Sequence, residues 1–284
     1  RISILEDQKF KVFNLPGYQN NLTRVLDIVK DRDGNVWFSA NTLGVAKLTA
    51  NEKIQWFPSL KNFRATSIFQ DKSGRMWIGS NSKLYYMKGN TIVEYEHNAL
   101  LLNNGIRKIF GCYKGGIYVS STNGFWQINN DTAIRLKTED DSQQFNSFTY
   151  YRDKKGTEFI GTMNGLFFVD NGIIKRYRTK NLNIINPIYF ILQDRDNFYW
   201  FGTNNGVLRW DGSNDPEVYN TLNGLAGRET NRSAGLLDSE GRVWVGTDRG
   251  LSCFTPGKER LKTPTPIVNL LYIETNTGDK YPLD

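Results

Sequence analysis

The sequence predicts an all-β protein folded as a β-propeller of four-stranded blades, with six full repeats visible in a ring of six or seven. Three observations carry that prediction. Aromatic and glycine content is high, with 17 Phe, 14 Tyr, 7 Trp and 26 Gly in 284 residues, which suits strands joined by tight turns. A short motif recurs six times at a period near forty residues, the mark of propeller blades. The same four short apolar runs return between copies, bounded by turn residues.

The copies are Asp31-x-x-Gly34-x-x-Trp37, Asp71-x-x-Gly74-x-x-Trp77, Cys112-x-x-Gly115-x-x-Tyr118, Asp153-x-x-Gly156-x-x-Phe159, Asp194-x-x-Asn197-x-x-Trp200 and Asp238-x-x-Gly241-x-x-Trp244. Their first positions lie 40, 41, 41, 41 and 44 residues apart. After each aromatic come an apolar residue, then Gly or Ser, then a small polar residue, as in WIGS, FIGT and WVGT. A second glycine follows at Gly44, Gly124, Gly165, Gly206 and Gly250. The second copy has NSKLYY there instead, so one turn of that blade is expected to differ.

For the first unit, strand a is read over 25–30, the turn as DRDG, strand b over 36–40, strand c over 45–49 and strand d over 54–57. Four antiparallel strands make one blade, and blades stacked around an axis leave only short edges. The last copy has no evident fourth strand, because TPGKERLKTPTP is polar and broken by prolines. At the N-terminus, ISIL (2–5) and FKVF (10–13) read as strands. Either an N-terminal strand completes the last blade, or these two strands belong to a truncated seventh.

The motif has a structural explanation. Asp opening a turn bonds the backbone two residues on, Gly accepts the positive φ that closes it, and the aromatic on strand b fills the space between blades. DRDG also resembles the start of a calcium loop, but the further oxygens and downstream Glu that calcium requires do not follow. No metal or cofactor is expected. The turn aspartates sit on separate blades, too far apart for a glycosidase acid/base pair.

Composition narrows the function classes further. Two cysteines, Cys112 and Cys253, and one histidine, His97, leave zinc sites and Cys-His or Ser-His-Asp catalysis without parts. The cysteines are expected to be buried or half-buried thiols and His97 a surface loop residue. No catalytic residues are assigned. No apolar run approaches the roughly 20 residues of a membrane-spanning helix. The net charge of +7 is scattered rather than clustered, so no nucleic-acid partner is expected. A chain that opens at Arg1 on strand-like sequence reads as a piece of something longer.

DSEGRVWVGTDRGL (238–251) resembles the two-component regulator propeller repeat of the extracytoplasmic sensor regions of bacterial histidine kinases, especially the hybrid kinases of Bacteroidetes. The resemblance runs from Phe10 to Phe254. PTPIVNLLYIETNTGDKYPLD resembles the first strand of the immunoglobulin-like triple-tyrosine domain that follows such propellers. The corresponding division is a propeller over 1–262 and a linker with that first strand over 263–284. The resemblance implies a periplasmic, non-catalytic sensing region that detects polysaccharide breakdown products. It further implies a homodimer in the full-length receptor, with membrane contact only through segments outside this chain.

Propellers gather their d-to-a and b-to-c loops on one face around the axis, where ligand sites form. The d-to-a loops are read at 17–21, 60–65, 101–107, 183–189 and 223–232. The b-to-c loops contribute Asn41, Asn81, Asn123, Asn164, Asn204, Asn205, Asp248 and Arg249. Amides suit sugar hydroxyls, aromatic faces stack on sugar rings, and Arg adds affinity for uronate or sulfate. The candidate ligand residues are Arg64, Arg107, Tyr189, Arg228, Asn231, Arg232, Asp248 and Arg249. Two other functions stay open: a protein-interaction or dimerisation propeller, and a glycan-processing enzyme of sialidase or lyase type.

Overall fold

A computed structural model describes residues 2–6, 9–13, 24–41, 44–57, 64–101, 105–122, 124–129, 132–140, 145–256, 272–274 and 280–282. The fold is an all-β, six-bladed propeller of mainly four-stranded antiparallel sheets. Blade 1 runs Val25–Lys30, Val36–Ala40, Gly44–Leu48 and Ile54–Trp56 in sequential order, within one residue of the expected strands. The inner strands of blades 2 to 6 are Ala65–Gln70, Ile106–Gly111, Ser147–Arg152, Ile188–Gln193 and Thr230–Leu237. Blade 4 gains a fifth strand: Lys137–Thr138, just past blade 3, pairs in parallel with Ile173–Arg176. No helix among the described residues is long and apolar enough to cross a membrane.

Each motif turn closes as its residues require. The Gly34 N–H donates to the Asp31 carbonyl at 3.1 Å, and Gly34 takes φ 84°, which a side chain would resist. In blade 5 Asn197 holds the same place at φ 68°, one of the few residues other than glycine that tolerate it. The Asp31 carboxylate accepts from the backbone N–H of Asp33 and Asn35 at 3.0 and 2.8 Å. Sequence reasoning missed the motif's second bond: the Trp37 indole N–H donates to Asp31 Oδ2 at 2.7 Å. Trp77, Trp200 and Trp244 repeat it to Asp71, Asp194 and Asp238, each at 2.8 Å. The motif therefore joins turn to core through one carboxylate. Both Asp31 oxygens are engaged in these bonds.

The core consists of layers between consecutive blades. Trp37, Val45 and Phe57 of blade 1 pack on Ala65, Ile68 and Ile78 of blade 2. Trp77 packs on Ile106, Ile109 and Val119 of blade 3. Tyr118, Phe159 and Trp200 enter the next three layers in turn. Trp244 of blade 6 stays half-buried, and Leu236 and Leu251 beside it are 60% and 51% exposed.

A further tie crosses four of the interfaces at the turn end. The residue after the motif Asp is basic in four blades and donates to a carbonyl of the next blade's turn. Arg32 reaches Asp71 and Lys72, Lys72 reaches Tyr113, Lys154 reaches Asp194 and Arg195, and Arg195 reaches Ser239. Part of the scattered positive charge is thereby explained.

Of the two closures considered for the ring, the N-terminal strand completing the last blade is not what the described residues adopt. Ile2–Glu6 and Lys9–Phe13 pair with each other in a separate two-stranded sheet. Ile4 and Phe13 pack against Phe38, Ala46 and Leu48 of blade 1, while blade 6 has three described strands. One further expectation needs correction. Cys253 is exposed, because blade 6 has no described neighbour on that side, whereas Cys112 is buried. His97 is half-buried, its ring edge-on to Tyr95 at 5.5 Å. The proposed linker lies outside the described residues up to 271. Tyr272–Glu274 and Lys280–Pro282 form an antiparallel pair.

The blade 2 turn differs as expected. Lys83 stands in the glycine position without a positive φ, and Ser80 Oγ caps the turn by accepting the Lys83 N–H at 3.0 Å.

Candidate functional site

The d-to-a and b-to-c loops converge on one face, as expected. The first loop residue after strand b donates its N–H to the carbonyl just before strand a: Asn41 to Arg24, Thr122 to Gly105, Met163 to Asn146 and Asp248 to Glu229, at 2.9–3.1 Å.

All six inner strands carry a bulge beside that face. Pairing with strand b slips between Val25 and Asp27, Ala65 and Ser67, Ile106 and Lys108, Ser147 and Thr149, and Ile188 and Phe190. In blade 6 the slip spans Thr230 to Gly235. The extra residues are Leu26, Thr66, Arg107, Phe148 and Tyr189, with Asn231–Ala234 in the last blade. A bulged residue leaves the ladder and its side chain is re-aimed, so each of the six inner strands presents at least one side chain at this end without a cross-strand partner.

Four of these groups form one cluster across blades 3 to 6. Phe148 and Tyr189, both buried, have ring centroids 5.6 Å apart. The exposed Arg232 guanidinium lies 4.2 Å from the Phe148 centroid and 6.0 Å from that of Tyr189. The Tyr189 hydroxyl donates to Glu229 Oε1 at 3.0 Å. Burial, reinforced by that carboxylate, raises the Tyr189 pKa above the ordinary phenol value. Burial, and secondarily the charge of Arg232, lowers the pKa of Arg107. Arg107 Nε and Asn146 Oδ1 are buried with no hydrogen-bond partner. Two aromatic rings, two guanidinium groups and unsatisfied polar atoms thus lie together at this end of the inner strands.

The other predicted residues fall around this cluster. Arg228 Nε donates to Asn205 Oδ1 at 2.9 Å, and Asn231 Nδ2 to the Thr247 carbonyl at 2.8 Å. Asp248 Oδ1 accepts the Glu229 N–H at 3.3 Å. These three brace the blade 6 loop. Arg64 is exposed just before the blade 2 inner strand. Arg249 is 79% exposed, with Asp248 3.9 Å away. Loop 17–21 and Asn123 lie outside the described residues. Sequence reasoning missed Phe148, Glu229 and Asn146; the 41-residue step linking 66, 107, 148 and 189 was the signal that marks Phe148.

Two cavities lie elsewhere on the inner strands. One of about 300 Å³ is lined by Asp27, Lys108 and Tyr150 among others. There Asp27 Oδ2 accepts from Ser67 Oγ and the Ile68 N–H at 2.8 and 3.0 Å, and Lys108 Nζ lies 2.5 Å from Oδ1. Asp27 is thus fully engaged in joining blades 1, 2 and 3. The other, of about 470 Å³, opens toward the motif turns beside Arg32, Lys72 and Arg152.

Residues 60–82 and 184–205 match the two-component regulator propeller family. Over 105 residues, 33% of this chain, the sequence is 32% identical to histidine kinase P4 of Formosa agariphila, and the match covers 8% of that protein's length. Virginiamycin B lyase from Staphylococcus aureus has a similar fold: TM-score 0.71 at 17% identity, over 88% of this chain and 86% of the lyase. The extracellular domain of a hybrid two-component system from B. thetaiotaomicron gives a TM-score of 0.59 at 18% identity, over 83% of this chain and 39% of that one. At such identities the structural likeness concerns the fold. This chain therefore spans only a small part of the kinase and under half of the sensor domain.

Proposed function

We propose that this chain, whose repeats match those of two-component regulator propellers, is a non-catalytic, periplasmic ligand-sensing domain of a sensor kinase. Its ligand is an oligosaccharide released from a polysaccharide, held at the bulged mouth. The observation that carries the reading is the cluster of Arg107, Phe148, Tyr189 and Arg232, drawn from four blades onto one face. Aromatic faces with adjacent donors match the alternating apolar and hydroxylated faces of a sugar ring. Kinase modules and a homodimeric receptor are proposed for the full-length protein, on the likeness to a histidine kinase. The test is calorimetric titration of the purified chain with a broad oligosaccharide panel. Saturable binding that weakens on Phe148→Ala supports the reading, and absence of binding across the panel sinks it.

A second reading rests on a separate observation: Leu26, Ile28, Leu236 and Leu251 leave apolar area exposed on blades 1 and 6. That favours a protein-interaction or dimerisation propeller. Concentration-dependent sedimentation with no saccharide-induced change in melting temperature selects it. The enzyme reading draws on the lyase-like fold alone, and turnover of any glycan would establish it.

A further inference from the structure

We infer that the ligand taken at this mouth carries a negatively charged group, a carboxylate or a sulfate ester, gripped between Arg107 and Arg232. This rests on the ligand-sensing reading above and deepens it. The two guanidinium groups come from blades 3 and 6, close enough for the charge of Arg232 to disfavour that of Arg107. Neither has a carboxylate partner among the described residues, whereas Arg209 pairs with Glu217 and Arg242 with Asp238. Glu229, the acid in the cluster, accepts instead from the Tyr189 hydroxyl. Arg107 also keeps a buried, unpartnered Nε.

Two like charges near each other, with the one nearby carboxylate, Glu229, bonded to Tyr189 rather than paired with either, leave the mouth with a net positive charge that a bound anion offsets. The planar forks of two arginines suit the paired oxygens of a carboxylate or sulfate. Stacking on Phe148 occupies the face of Arg232 and leaves its in-plane N–H donors free for such an oxygen. A sugar hydroxyl accepts one of these hydrogen bonds but leaves both charges uncompensated, so charge separates the favoured ligands from the rest.

The test titrates the chain with matched pairs at low and high salt: oligogalacturonate against neutral oligogalactose of equal length, and a sulfated disaccharide against its unsulfated form. Sodium sulfate against sodium chloride at equal ionic strength, read by thermal melting, provides a probe independent of sugar identity. The expected result is about tenfold or greater preference for the charged member of at least one pair, reduced by salt. Sulfate raises the melting temperature of the wild type more than that of Arg232→Gln. Arg232→Gln collapses the charged-over-neutral ratio, and Arg107→Lys, which keeps the charge and loses the fork, reduces it partly. Equal or stronger binding of neutral members, or a ratio unmoved by Arg232→Gln, overturns the inference while leaving the ligand-sensing reading intact. No saccharide binding and no differential sulfate effect overturns both.

Discussion

Tyr199 of blade 5 donates its hydroxyl to Asp153 Oδ2 of blade 4 at 2.7 Å, supplying the donor that a Trp indole provides in blades 1, 2, 5 and 6. Blade 4 needs it because its motif aromatic is Phe159, which has no polar atom. Blade 3, with Cys112 in the Asp position, makes the complementary change. Its Tyr118 donates forward to Glu158 of blade 4 at 2.9 Å, and Tyr150 donates to the same oxygen. The repeat thus tolerates substitution where a neighbouring blade supplies the missing bond.

Removing that bond is costly on this account. Tyr199→Phe strands a buried carboxylate oxygen and is expected to lower stability by about 1–3 kcal/mol. Urea unfolding measures it, with Tyr113→Phe, at a 40% exposed site, as the near-neutral control. An unchanged midpoint would mean that Asp153 finds another donor.

Acid should loosen the turns in a defined window. The Trp244 indole, outweighing burial, holds Asp238 below the ordinary carboxylate pKa. In Asp31 and Asp71 burial pulls upward, but hydrogen bonds from Asn35 and Trp37, and from Ser73 and Trp77, prevail and the pKa is lowered. A carboxyl with a depressed folded pKa stabilises the fold above its unfolded value of about 3.9 and loses that contribution as pH falls through the folded value. Melting temperature, followed by circular dichroism, is expected to drop below about pH 4. Asp71→Asn should remove part of that slope.

Close approach, rather than turn geometry, explains the glycine two residues after the strand b aromatic in blades 2, 4, 5 and 6. A Cβ on Gly161 would lie 2.5 Å from Thr149 Cγ2 and 2.7 Å from Ile188 Cγ2, with the Ile188 carbonyl oxygen at 2.9 Å. Gly161→Ala is expected to cost about 1–3 kcal/mol through overpacking. Gly89→Ala, where nothing lies within 4 Å but φ is 61°, separates backbone strain from crowding.

The basic ties between turns should behave independently. Lys154→Met loses part-buried and exposed hydrogen bonds to Asp194, Arg195 and Asn197 and is expected to cost less than about 1 kcal/mol. Combining it with Arg32→Met, two blades or more away, should give the sum of the two single effects within about 0.5 kcal/mol. Guanidinium unfolding of the three variants tests this, and strong non-additivity would reveal coupling around the ring.

Strands, turns and interface aromatics were legible because each repeats: Asp31, Gly34 and Trp37 recur in register, and local turn chemistry together with period-two burial specifies them. The Asp–Trp bond was not, since a six-residue separation across a turn has no periodic signature until the side chains are placed. Loop composition named Arg107, Tyr189 and Arg232, which the structure brings into one cluster with Phe148. It did not single them out from Arg64 or Arg249, because exposure depends on the bulge, a backbone event that leaves no residue type behind. Phe148 was passed over for a related reason: read alone, SFTYY is an ordinary apolar strand start. Sequence left two closures of the ring open because the pairing of FKVF with ISIL depends on which edge is nearest in space.

The six bulges also separate evolvability from foldability. Residues flanking them must satisfy ladders, caps and packed layers. The bulged positions are released from the strand ladder, although Phe148 and Tyr189 still pack on each other and Thr66 Oγ1 donates to the Ile106 carbonyl, and they hold Leu26, Thr66, Arg107, Phe148 and Tyr189, five different chemistries on one repeated backbone. A backbone built this way can vary side chains at that rim without disturbing the strand pairing on either side of each bulge.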